Sequence, residues 1–151
     1  MKHLFYIILF FLATISYAQT MVDTSGVLND NLIGFSFGKA ARQSMSVQLV
    51  GNLLRNGKYD SLKLLMRSED PALLYLAIRA CEFEEKRKRL VLSPEEKKII
   101  ESAKMSEQEI EYCSGCTIRE TSTIKELFNK KDCSLNKQMN WWLKEVVRFQ
   151  K

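Results

Sequence analysis

The chain has 151 residues, 46% of them apolar and 27% charged, with a formal net charge of +5. That length holds one domain with a modest core and is too short for two. The balance of apolar and charged residues excludes a disordered chain, a collagen-like repeat and a coiled-coil rod. The excess of 23 basic over 18 acidic residues is too mild for a nucleic-acid binder.

The amino terminus carries an address. Lys2 and His3 form a short positive start, residues 4–15 are almost wholly apolar, and Ser16 and Ala18 are small residues before Gln19. This is the pattern of a secretory signal peptide, residues 1–18, cleaved after Ala18. The apolar run falls short of the roughly 20 residues that cross a bilayer, so no stable membrane span is expected after cleavage. The expected destination is the periplasm or the outside of the cell.

Residues 19–34 lack periodicity and read as a loosely ordered arm. Residues 35–151 read as a single helical domain. Ala41, Met45, Leu49 and Leu53 recur every four residues and mark a helix that stops at Asn56-Gly57, where glycine takes positive φ cheaply. A short helix with Asp60 as a candidate cap carries Leu62, Leu64, Leu65 and Met66 as its contacts. Pro71 then opens a helix expected to run to about Leu90, since proline is tolerated at the first helical position. Ser93-Pro94-Glu95-Glu96 and Thr123-Ile124-Lys125-Glu126 have the form of capping boxes. Ser134 is a candidate cap for a last helix with Leu135, Met139, Trp142, Val146 and Phe149 on one face. Residues 112–122 read as a loop, no sustained alternation is evident, and the expected fold class is all-α.

The stretch from Leu62 through Asp70-Pro71 to Cys81, with Leu73, Leu76, Ala77 and Ala80, resembles a HEAT or armadillo-type helical hairpin. In that family an apolar helix ends in an Asp-Pro turn and an Ala-rich helix packs back on it. The resemblance covers residues 62–81, one repeat, and solenoids stack three or more. It implies either helical hairpins packed in two layers, as a fragment of an α-α superhelix, or an irregular helical bundle.

Candidate chemistry is sparse. Gly34 to Lys39 has one residue too few between its glycines for a phosphate loop, and Ala40 replaces the Ser or Thr that would hold magnesium. The only histidine, His3, leaves with the signal peptide, and with it every Ser-His-Asp, Cys-His or His-ligated arrangement. Cys113-Ser114-Gly115-Cys116 is the most chemical feature. In an oxidising compartment the pair Cys113/Cys116 can be a structural disulfide, a redox dithiol or half of a metal site. Thr117 stands where a c-type haem would need His, and both prolines precede the motif, against a thioredoxin-like setting. A structural disulfide is the expectation, with Cys81 a candidate buried thiol.

The run Lys86-Arg87-Lys88-Arg89 follows Glu82, Glu84 and Glu85. The pairs Glu82–Lys86, Glu84–Lys88 and Glu85–Arg89 at i,i+4 account for it as a solvated helix end. Trp141 falls off the apolar stripe of the last helix, beside Lys137, Lys144 and Arg148. It is either an anchor for a partner or a core edge with a cation–π contact. These features imply no cofactor and no catalytic residue. The expectation is a small exported helical protein that binds an unknown protein in the cell envelope or outside the cell. The competing expectation is a periplasmic thiol redox or metal-handling protein using Cys113 and Cys116.

Overall fold

The computed structural model describes residues 32–36, 42–114, 118–130 and 132–148. The residues read as a signal peptide, most of those read as an arm, Lys39, Ala40, Ala41, Cys116 and Phe149 lie outside the described residues. Along the chain come β1 (Leu32–Ile33), α1 (Met45–Arg55), α2 (Tyr59–Leu65), α3 (Pro71–Lys86), α4 (Pro94–Ala103), β2 (Glu109–Ser114), β3 (Ile118–Thr123), α5 (Ile124–Asn129) and α6 (Ser134–Arg148).

The all-α expectation is overturned by a three-stranded mixed sheet in the order β1-β2-β3. β2 and β3 pair antiparallel from Glu109↔Thr123 to Ser114↔Ile118, across the segment 112–122 read as a loop. β1 adds in parallel, with Leu32 opposite Glu111 and Ile33 opposite Tyr112. Ile110 and Tyr112 are buried while Glu109 and Glu111 are exposed, the period-two alternation of a sheet with one covered face. Leu32 and Ile33, at the end of the presumed arm, are both buried. A serine clasp fastens this strand to the start of α1. Ser44 N–H donates to Gly34 O at 2.8 Å, Gly34 N–H donates to Ser44 Oγ at 3.2 Å, and Ser46 Oγ donates to Leu32 O at 2.9 Å.

α3 is the centre of the core. From Pro71 to Cys81 every residue but Arg79 is buried, so almost its whole circumference must be covered. α1, α2, α4 and β2 pack on it. Asp70 starts it: Oδ1 accepts from Ala72 N–H at 2.8 Å and Leu73 N–H at 3.2 Å, while Pro71 occupies a position whose N–H would have no partner. Leu62, Leu65 and Met66 are buried on the α2 side, and Leu73, Leu76, Ala77, Ala80 and Cys81 on α3. The expected capping box at Ser93 is complete: Ser93 Oγ accepts from Glu96 N–H, and Glu96 Oε2 accepts from Ser93 N–H. Thr123 Oγ1 likewise accepts from Glu126 N–H. Ser134 is the first residue of α6 and its hydroxyl has no hydrogen-bond partner, so it does not serve as the cap.

Gly57 has φ +62° and closes α1 as its spacing predicts, its N–H donating to Leu54 O and that of Lys58 to Leu53 O. α3 stops four residues earlier than the sequence suggests, at Lys86. There the same left-handed closure falls on Lys88, φ 60°, with Lys88 N–H on Glu85 O and Arg89 N–H on Glu84 O. A lysine in this region crowds its Cβ against the backbone, and glycine does not. Lys88→Gly is therefore expected to raise stability by about 1 kcal/mol, read as a higher urea midpoint at unchanged slope.

Candidate functional site

The cysteine motif does not form the expected structural disulfide. Cys113 carries a free thiol, as do Cys81 and Cys133; Cys116 lies outside the described residues. Position 113 is a rung of the β2–β3 ladder, held opposite Arg119 with only 5% of its surface exposed, so it is an element of the sheet, not the start of a closed cystine loop. Among the described residues no group of three His, Cys, Asp or Glu side chains stands together as a metal site. Burial pushes the Cys81 thiol up to about 12, which keeps it protonated and a poor nucleophile.

The basic run is also arranged differently from its spacing. Because the helix ends at Lys86, Lys88 and Arg89 leave the face on which Glu84 and Glu85 sit. Glu84, fully buried, instead accepts from Arg87 Nη1 at 2.6 Å and from the Tyr59 hydroxyl at 3.0 Å. Glu85 pairs with Lys97 and Glu82 with Lys104, both at 3.0 Å and both across to α4. Glu82 and Glu85 therefore dock a neighbouring helix, whereas Glu84 pairs with Arg87 at the end of its own.

Trp142 is buried on the apolar stripe of α6 with Leu135, Met139 and Val146. Its ring lies 5.3 Å from that of Phe35, and a Cβ at Gly51 would come within 3.1 Å of it. Trp141 turns outward and is 63% exposed, with Lys137, Lys144 and Arg148 also exposed on the helix. No cation stacks on its ring among the described residues. It borders a depression of about 210 Å³ with Gln43, Arg55 and Glu145.

A larger concavity of about 640 Å³ opens between α3 and α6, with Lys104, Met105 and Phe128 closing its far side. Its floor is a polar node. Asn136 is 1% exposed, and its Oδ1 accepts from the Tyr75 hydroxyl and Arg79 Nη1, each at 2.6 Å. Its Nδ2 donates to Leu127 O at 2.6 Å and Lys130 O at 2.9 Å. Arg79 Nη2 reaches Asn140 Oδ1 at 2.8 Å, and the guanidinium lies 6.0 Å from the Tyr75 ring centroid. Burial raises the Tyr75 hydroxyl far above its ordinary range, so it remains a donor to Asn136. At the opposite wall Lys104 is held by Glu82 and Glu101. Burial there works against its charge, yet the two carboxylates prevail and its pKa rises.

Sequence reasoning passed over Arg79, Asn136 and Asn140. A signal was present in Arg79, the only charged residue between Pro71 and Cys81. The two asparagines, one turn apart on α6, gain their meaning only when α6, packed on α1 and β2, brings them to Tyr75 and Arg79 of α3. No family model, curated protein or solved structure matches the chain, and no described helix is long and apolar enough to cross a membrane.

Asn136→Ala would strand the Tyr75 hydroxyl and two carbonyls in the interior. It is expected to cost on the order of 3 kcal/mol in urea unfolding. For Cys81, the folded chain holds its proton above the pH at which the unfolded chain releases it, so its contribution to stability falls as pH rises past the ordinary thiol range. Alkylation of the native protein at mildly alkaline pH should label Cys133, which is partly accessible, and leave Cys81 unmodified until denaturant is added.

Proposed function

We propose that this chain is a small exported protein that works by binding another protein, in the cell envelope or outside the cell, and not by catalysis. The observation that carries the reading is Trp141, 63% exposed beside a buried Trp142. A large rigid ring left in water costs free energy that burial against a partner recovers, and tryptophan is enriched among residues that dominate binding. Lys137, Lys144 and Arg148 are exposed on the same helix, with Glu145 3.9 Å from Arg148, so the complementary surface is acidic. The signal-like residues 1–18 support export.

The test is photo-crosslinking in cells of the source organism, with a crosslinker replacing Trp141 and, as a comparison, one replacing the exposed Glu95 on α4. One discrete adduct is expected from position 141, weakened by added salt and competed away by excess unlabelled protein, on a mature chain beginning at Gln19. Adducts identical from both positions, or none from 141, overturn the binding reading. A chain that retains Met1 overturns export.

A further inference from the structure

We propose that the concavity between α3 and α6 is a binding site for a small organic monocarboxylate with an apolar body, and that Arg79 receives the carboxylate. This site is separate from the Trp141 surface.

The charge arrangement carries the proposal. Arg79 is partly buried, yet both its partners, Asn136 and Asn140, are neutral amides. No carboxylate pairs with it among the described residues, and its other close neighbour, Tyr75, is a neutral phenol. A cation withdrawn from water without a counter-charge is unfavourable, and here it is also held in one orientation by two hydrogen bonds and the Tyr75 ring. Its planar fork suits a carboxylate approached edge-on. The other charges of the concavity are Lys86, Lys104, Glu82 and Glu101. Lys104 bridges the two acids at 3.0 and 2.9 Å, which offsets one of their two negative charges. Three cations against two carboxylates give the concavity as a whole a net charge of +1, so a monoanion received at Arg79 brings it to neutrality and a phosphate dianion would leave it negative.

The apolar part of the ligand is specified by the spacing. On α3, Arg79, Phe83 and Lys86 recur at i, i+4 and i+7. On α6, Asn136, Asn140 and Leu143 follow the same interval and line the opposite side. Phe83 and Leu143 thus stand next to the polar end, and Phe128 with the exposed Met105 continues the surface. A volume of about 640 Å³ lies inside the range of small-molecule sites, roughly 300–1,000 Å³. Such a carboxylate reaches the site either as a free acid or as the C-terminus of a short peptide.

The experiment is a titration of the full mature chain, followed by NMR on the side-chain amides of Asn136 and Asn140. The probes are 4-phenylbutyrate, its methyl ester, the peptide acetyl-Leu-Phe with a free carboxylate, and the same peptide as its amide. Saturable binding of at least one free acid is expected, with the Asn140 amide shifting and the ester or amide at least about tenfold weaker. Tighter binding of phenylbutyrate points to a free acid, and tighter binding of the peptide to a chain terminus. Arg79→Gln should lose at least about tenfold in affinity, and Arg79→Lys should fall between. Arg67→Gln, on another face, should leave affinity unchanged. Equal binding of acid and ester, shifts confined to residues outside the concavity, or no saturation by any probe overturns the proposal. Should Arg79→Gln fail to fold, the comparison of acid with ester on the wild-type chain decides it alone.

Discussion

A helix that is apolar around almost its whole circumference has little face to give to water, and α3 is such a helix over residues 71–81, with Arg79 the one exception. Everything else in the domain is arranged to meet that constraint. α1 and α2 cover one side, α4 another, and the buried residues of β2 and α6 complete the core. At about 25 cal/mol per Å² of apolar surface, the covering of a helix with Leu73, Leu76 and Ile78 on it outweighs the modest propensities of any single element. The two ends of α3 are where its burial stops. Asp70 satisfies the first free N–H groups, and at the other end Glu84 is held by Tyr59 and Arg87 before the chain turns at Lys88.

Polar groups that enter this core are handled by pairing, and Asn136 concentrates the task. One amide joins the hydroxyl of α3, the end of α5 and the segment entering α6, so that α6 cannot slide along α3 without stranding several donors and acceptors. The same node orients Arg79. Stability and the proposed carboxylate site are therefore coupled: the bonds that lock α6 in place also hold a cation at the edge of the concavity. Binding of an anion there would need little reordering of side chains, which is the condition under which a small ligand binds efficiently.

The surface charges follow a similar economy of geometry. Glu82 and Glu85 reach across to Lys104 and Lys97 on α4, and Lys63 on α2 meets Glu96 at 3.0 Å. Exposed pairs of this kind contribute little each, but they all bind α4 to its neighbours and set the wall of the concavity. Trp141 stands apart from this network, on the outer side of a helix whose inner side is filled by Trp142.

Several features were determined locally and are therefore legible in the order of residues. The Asn56-Gly57 stop, the Asp70-Pro71 start, the Ser93 box and the apolar stripe of α6 depend on side chains within a few positions of one another, where capping chemistry and helical spacing act. The hairpin of β2 and β3 was in principle visible in Glu109-Ile110-Glu111-Tyr112 and the Thr-rich residues after it, but four alternating residues do not distinguish a strand from a loop until a partner strand supplies the ladder. β1 was invisible, because two residues acquire strand character only by pairing with residues far along the chain. The free state of Cys113 and the exchange of i,i+4 ion pairs for contacts with α4 were likewise decided by neighbours distant in sequence. Arg79 shows the division most plainly: its presence in an apolar helix is written in the sequence, whereas its two amide partners arise only because the fold brings α6 beside it.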